Sequence, residues 1–214
     1  MMRSLSHFTR GCTLAITALT LTGCVSGGST EFHRYALAEV PSSSAPSPAL
    51  HVLAVPGVRL SGMLAGNGIV MQVSDIELQA AQQNLWAGEL GHQLTQRLQS
   101  SLQHALPATR IDSQPGDGMT LTVDVEQFQG RFDGQAVASG QYRVTNADGD
   151  VRIQDRFQHT VPLAEDGYPA LVRALGTAWS RSSDQIAARI KAVQSTPSPT
   201  SSPNTETATE EQSQ

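Results

Sequence analysis

Cysteine is almost missing from this chain: 214 residues carry only Cys12 and Cys24. Lysine is scarcer still, with Lys191 standing alone, and aromatic residues make up 5%. The longest apolar run, Gly11 to Leu21, falls well short of the roughly 20 residues a helix needs to cross a bilayer. Basic residues are outnumbered, 14 against 19 acids, for a formal net charge of −5. That balance argues against nucleic acid as a partner and against a basic patch that lies on a membrane. The chemistry-bearing motifs are missing too. No GxxxxGK[ST] is there to cradle a nucleotide, no GxSxG elbow to present a serine, and no HExxH to hold zinc. Ser-x-x-Lys is excluded because Ala188 lies three residues before the only lysine. His33, His51, His92, His104 and His159 are scattered. His92 and His104 fall on one helix, about 18 Å apart at 1.5 Å per residue, too far to share a metal ion. Asp124 and Glu126 have the spacing of paired carboxylates on one strand face, but the solvated face of a sheet accounts for them. These absences predict a chain with no enzymatic activity, no cofactor and no metal.

What is present begins with the leader. Met1 to Arg10 is polar, with Arg3 and Arg10 and no acid; Gly11 to Leu21 is apolar or small; Thr22 and Gly23 follow. A positive start, a short apolar run and small residues form a secretory signal. Leu21-Thr22-Gly23-Cys24 resembles the lipobox of bacterial lipoproteins. The resemblance implies cleavage before Cys24, diacylglycerol on its sulfur and a palmitate-type chain on its new amino group. Each buried CH₂ contributes about 0.8 kcal/mol, and two or more chains anchor stably where one does not. Loss of Arg3 and Arg10 with residues 1–23 takes the formal net charge from −5 to −7, and no free thiol remains. Val25, where aspartate marks inner-membrane retention in such lipoproteins, implies an outer-membrane anchor with the domain facing the periplasm.

Four segments follow from composition: the signal peptide, 1–23; a Gly/Ser tether, 24–31; a structured domain, 32–193; and a tail, 194–214, rich in Ser, Thr, Pro and Glu. The tail has too little apolar surface to offset its ordering entropy. Pro41 to Pro48 reads as a loop. Inside the domain, Phe32 to Leu37 reads as a short strand, and Leu50 to Leu60 as β structure with a bulge or edge at Pro56-Gly57. Ile69, Met71 and Val73, then Ile76, Leu78 and Ala80, alternate about Ser74-Asp75 as a hairpin; the rival is a capping box from Ser74 to Glu77. Asn84 is a candidate N-cap for a helix striped by Trp86, Leu90, Leu94, Leu98 and Leu102 and ended by Pro107, with Gln93, Gln96, Arg97, Gln99 and Gln103 covering its other side. Three alternating strands follow, Leu121 to Val125, Ala136 to Val144 and Val151 to Val161, joined by turns containing Asp133-Gly134 and Asp148-Gly149. A last helix, Pro169 to Val193, buries Leu171, Leu175, Trp179, Ser182, Ile186, Ile190 and Val193. The expectation is an α/β fold: a single layered domain in which a mixed, largely antiparallel sheet of about five to six strands is packed by two long amphipathic helices.

The order of these motifs resembles the PqiC/YmbA family of ABC-type transport auxiliary lipoproteins. The resemblance rests on the lipobox at Cys24, Tyr35-Ala36-Leu37, Val55 to Leu60, Ile69-Val70, Leu85-Trp86-Ala87-Gly88-Glu89-Leu90, Arg131-Phe132-Asp133-Gly134 and Gln185-Ile186-Ala187. It departs at Ser61 to Asn67, which replaces a Pro-x-Tyr-Leu-Asp-x-Pro stretch, and in the acidic tail. The family implies an accessory subunit that docks onto or caps an MCE-domain protein and the ABC- or Pqi-type membrane components of a lipid transporter. Cys24 is the one site residue, for lipidation. Two other classes stay open on the residues alone. One is a lipid-anchored envelope hydrolase; the other is a structural or regulatory lipoprotein of cell-wall synthesis or outer-membrane assembly.

Overall fold

A computed structural model describes residues 31–38 and 49–195. The leader, Cys24, the tether, the Pro41–Pro48 loop and the tail beyond residue 195 lie outside them. The elements run β1 (His33–Tyr35), β2 (His51–Ala54), β3 (Val58–Leu60), a 3-10 turn (Gly62–Ala65), β4 (Gly68–Gln72), β5 (Leu78–Trp86), α1 (Leu90–Ala105), β6 (Thr109–Asp112), β7 (Met119–Arg131), β8 (Gln135–Thr145), β9 (Val151–Pro162) and α2 (Tyr168–Gln194).

All nine strands join one sheet, so the expected five to six is an undercount. The class holds; the extra strands are short. Pro56-Gly57 splits one β segment into β2 and β3, because proline has no N–H to extend a ladder, and β6 is only four residues long. The long strand β7 organises the sheet. One of its edges pairs along its length with β8, antiparallel, and β8 pairs with β9. Its other edge is shared by three separate segments, all parallel to it: β2 at Met119–Thr120, β3 at Val123–Val125 and β4 at Gly130–Arg131. Strand β5 runs antiparallel to β4, and β1 and β6 close the two flanks in parallel with β5 and β2. Most paired residues are therefore antiparallel, although the parallel contacts between strands are more numerous.

The β7–β8 register slips between Val125 and Gln127. The extra residue, Glu126, is a bulge, and a single insertion exchanges the two faces of a strand. Leu121, Val123 and Val125 are buried before it; Phe128 and Gly130 take over after it. A second slip, between Val144 and Thr145, leaves Val151 exposed, against its expected place in the inward set of β9.

Helix α2 crosses β7, β8 and β9, and α1 lies along β3 and β6 and touches α2. Leu90, Leu94, Leu98 and Leu102 are buried as the four-residue spacing required. The start of α1 is a correction. Its N-cap is Glu89, and Asn84 and Trp86 belong to β5. Asn84 accepts a hydrogen bond from Tyr35 Oη at 3.2 Å, and Trp86 is buried at the strand's end against Phe128. Trp86 fell in phase with the leucine stripe by coincidence. Trp179 of α2 lies edge-on to both Phe128 and Phe157, with centroids 6.3 and 5.9 Å away. Its Nε1 donates to the Leu94 carbonyl of α1 at 3.1 Å. Both tryptophans are core, as expected, and one of them joins the two helices.

Candidate functional site

The two carboxylates that could have carried catalysis are each engaged locally. Asp124, on the outer face of β7, accepts Nε and Nη2 of Arg59 at 2.6 and 2.9 Å. That hydrogen-bonded guanidinium holds the Asp124 carboxyl below its ordinary value. Glu126, turned by the bulge, is bound by Arg156 of β9. The two carboxylates thus serve two surface ion pairs, and Asp124 is held away from the raised pKa of a general acid. His33, His92 and His104 are exposed, and His51 is half-buried at the start of β2. His159 shares a hydrogen bond with Gln185 of α2, Nε2 to Oε1, 3.0 Å. Among the described residues no three His, Cys, Asp or Glu side chains are placed to hold a metal ion, and no helix is long and apolar enough to cross a membrane. Cys24, the expected lipidation site, lies outside the described residues.

The distinctive surface is at one end of the sheet. Met71 and Gln72 of β4 pair with Gly130 and Arg131 of β7, so the β4–β5 loop and the β7–β8 turn leave the sheet side by side. The first of these connections confirms the predicted hairpin. Ser74 does cap, but within the turn: its Oγ accepts the N–H groups of Ile76 and Glu77, and Val73 N–H closes onto the Glu77 carbonyl. Ile76 is therefore a tip residue and not an inward strand position, and it is 90% exposed. Val73 and Leu78 beside it are exposed as well, as are Gln79, Ala80, Gln82 and Gln83 along β5. The first half of β5 is wet on both faces, which makes the hairpin a projecting arm. In the neighbouring turn, Gly134 at φ +75° and an Arg131–Asp133 ion pair of 2.7 Å fix the backbone and leave Phe132 58% exposed. Sequence reasoning treated these residues as strand and turn only. The available signal was a phenylalanine inside an Asp-Gly turn, where packing gives it no reason to be.

Where the family profile matches decides what this scaffold is. The family described as ABC-type transport auxiliary lipoprotein component matches residues 35–187, from the end of β1 deep into α2. The chain belongs to that family. Among curated members, the intermembrane transport lipoprotein PqiC of Escherichia coli is 35% identical over 181 residues, covering 83% of this chain and 96% of that one. The same figures hold for PqiC of Shigella flexneri. A crystal structure of an uncharacterized protein, 34% identical, superposes with a TM-score of 0.66 over 75% of this chain and 99% of the other. A Xanthomonas campestris protein at 15% identity shares the fold at a TM-score of 0.64, covering 75% and 96%. The family match takes in the strand β1 exit, the α1 start and the Phe132 turn. The departure at Ser61–Asn67 forms the 3-10 turn, which buries Leu64 and exposes Met63.

Proposed function

We propose that this auxiliary lipoprotein is anchored by acyl chains on Cys24 to the periplasmic side of the outer membrane. There it serves an intermembrane lipid-transport system as a docking or capping subunit for an MCE-domain protein and its membrane components. The observation that carries the reading is the 35% identity to PqiC over 83% of this chain and 96% of that one. The chemistry agrees with it. Asp124 and Glu126 are tied up in ion pairs, and Val73, Ile76, Leu78 and Phe132 lie exposed together at the hairpin and the neighbouring turn. Large apolar side chains held at one end of a rigid sheet suit contact with another protein.

The test is affinity purification of the full-length protein from envelopes, with crosslinking in intact cells. Capture of an MCE-domain protein supports the reading. Capture of a cell-wall synthase or an outer-membrane assembly factor in its place refutes it. The anchor is tested separately: Cys24→Ser should release the protein from the envelope fraction, and unchanged fractionation would refute lipidation at this residue.

A further inference from the structure

Among the described residues, Arg97 has guanidinium nitrogens buried without an acceptor and takes part in no ion pair. Arg97 stands on α1 where α2 crosses it, and its Nη2 donates to Ser180 Oγ on α2 at 3.2 Å. Its Nε and Nη1 are buried and have no acceptor. None of the ion pairs among the described residues includes it. Burial lowers its pKa, as it does for any cation taken from water without compensation, yet a guanidinium stays charged at every physiological pH. The sequence placed Arg97 among the solvent-facing residues of α1; α2 covers it. A guanidinium with two of its nitrogens out of water and without acceptors is costly, and its charge favours an anion.

Space for one is adjacent. A hollow of about 420 Å³ lies between the Tyr35–Ala38 segment and α2, and Arg97, Arg173, Thr177 and Ser180 line it. Tyr35, Pro169 and Val172 complete an apolar wall, and Ala36, Ala38 and Gly176 leave room beside the helix. Arg173 is tied only to Glu165, at 3.3 Å, with both side chains largely exposed, so it is free to turn inward. Thr177 and Ser180 hydroxyls each donate to a carbonyl one turn back, Arg173 and Gly176 respectively, and a hydroxyl rotor can redirect that proton. Two guanidiniums and two hydroxyls around one small hollow supply more donors than a carboxylate accepts and match the several oxygens of a phosphate.

We propose that this hollow is an oxyanion site in which Arg97 and Arg173 hold a phosphate group between the two helices. The phosphate could be free or the headgroup of a phospholipid, and the proposal stands independently of the transport reading above.

The experiment is calorimetric titration of the full-length protein in non-ionic detergent. One arm uses inorganic phosphate. The other uses dihexanoyl phosphatidylglycerol below its micellar concentration, with dihexanoylglycerol as the phosphate-free control. The expected result is saturable binding of at least one phosphate probe and none of the control, weakened about tenfold or more by Arg97→Gln, with partial recovery in Arg97→Lys. Binding of inorganic phosphate assigns the site to the free anion; binding of the lipid alone assigns it to a headgroup. Should Arg97→Gln fail to fold, Arg173→Gln and Ser180→Ala, which change surface and half-buried groups, carry the same comparison. Absence of saturable binding by both probes, or folded variants that bind as the wild type does, overturns the proposal.

Discussion

Replacing Gly140 by alanine should lower the melting temperature by several degrees, and the reason lies in the β7 bulge. Gly140 pairs with Val125 at the last regular position before Glu126 is extruded. The bend there brings the Asp124 carbonyl over Gly140, so that an added Cβ would fall inside contact distance of that oxygen and 2.9 Å from Phe157 Cζ. Neither neighbour can withdraw easily. The carbonyl belongs to the central strand, and Phe157 is held against Trp179. Overpacking of this kind costs about 1–3 kcal/mol, against which alanine's smaller unfolded-state entropy returns about 0.4–1 kcal/mol. A net loss of about 1–2 kcal/mol corresponds to a fall of about 2–8 °C for a chain of this size. Thermal unfolding followed by circular dichroism reads it, with Gly88→Ala as control, since no heavy atom lies within 4 Å of a Cβ there. A Gly140→Ala protein that melts with the wild type or above it refutes the packing argument.

Three further outcomes are expected. Trp179→Ala should cost about 3–5 kcal/mol, and Trp179→Phe, which loses the Leu94 hydrogen bond and part of the ring, well under half of that; chemical denaturation compares them, and equal losses would count against the helix-joining role. Because Arg59 holds the Asp124 pKa below its unfolded value, the pair's contribution is fully present above the ordinary carboxylate range and fades as pH falls through the lowered folded value. Arg59→Gln should move the Asp124 carboxyl resonance titration up to that range, and an unmoved titration contradicts the assignment. Ile76→Asp and Phe132→Asp should leave stability within about 0.5 kcal/mol, as changes at exposed positions do, while reducing recovery of the proposed MCE-domain partner; full recovery would exclude this end of the sheet as the contact.

The readable parts of the fold were those whose signal is local. β7, β8 and β9 are long, alternate strictly for most of their length and are joined by Asp-Gly turns, so their pairing follows from neighbouring sequence. The leucine stripe of α1 and the stripe of α2 were equally plain. Strand β6 was not, because Thr109 to Asp112 is too short to show a period, and its partner β2 lies more than fifty residues earlier. The parallel pairings of β2, β3 and β4 with β7 join segments with no sequence signal between them. Arg97 shows the same limit at the level of one side chain. Helical periodicity put it on the polar side of α1 correctly, but only the crossing of α2 decides that this side is covered there. Ile76 erred in the opposite direction: its alternation was real, and the strand it implied had already turned.

The division of one β7 edge among three segments has a consequence for how the molecule assembles. Residues 68–86 can form the β4–β5 hairpin early, but β2 and β3 have no central ladder to join until Met119 to Arg131 has emerged and found them across roughly sixty residues of intervening chain. Closing loops of that length before any reward is collected makes for slow folding. The chain should therefore linger in a loose, threadable state, its halves locking together in one late step when the central strand arrives.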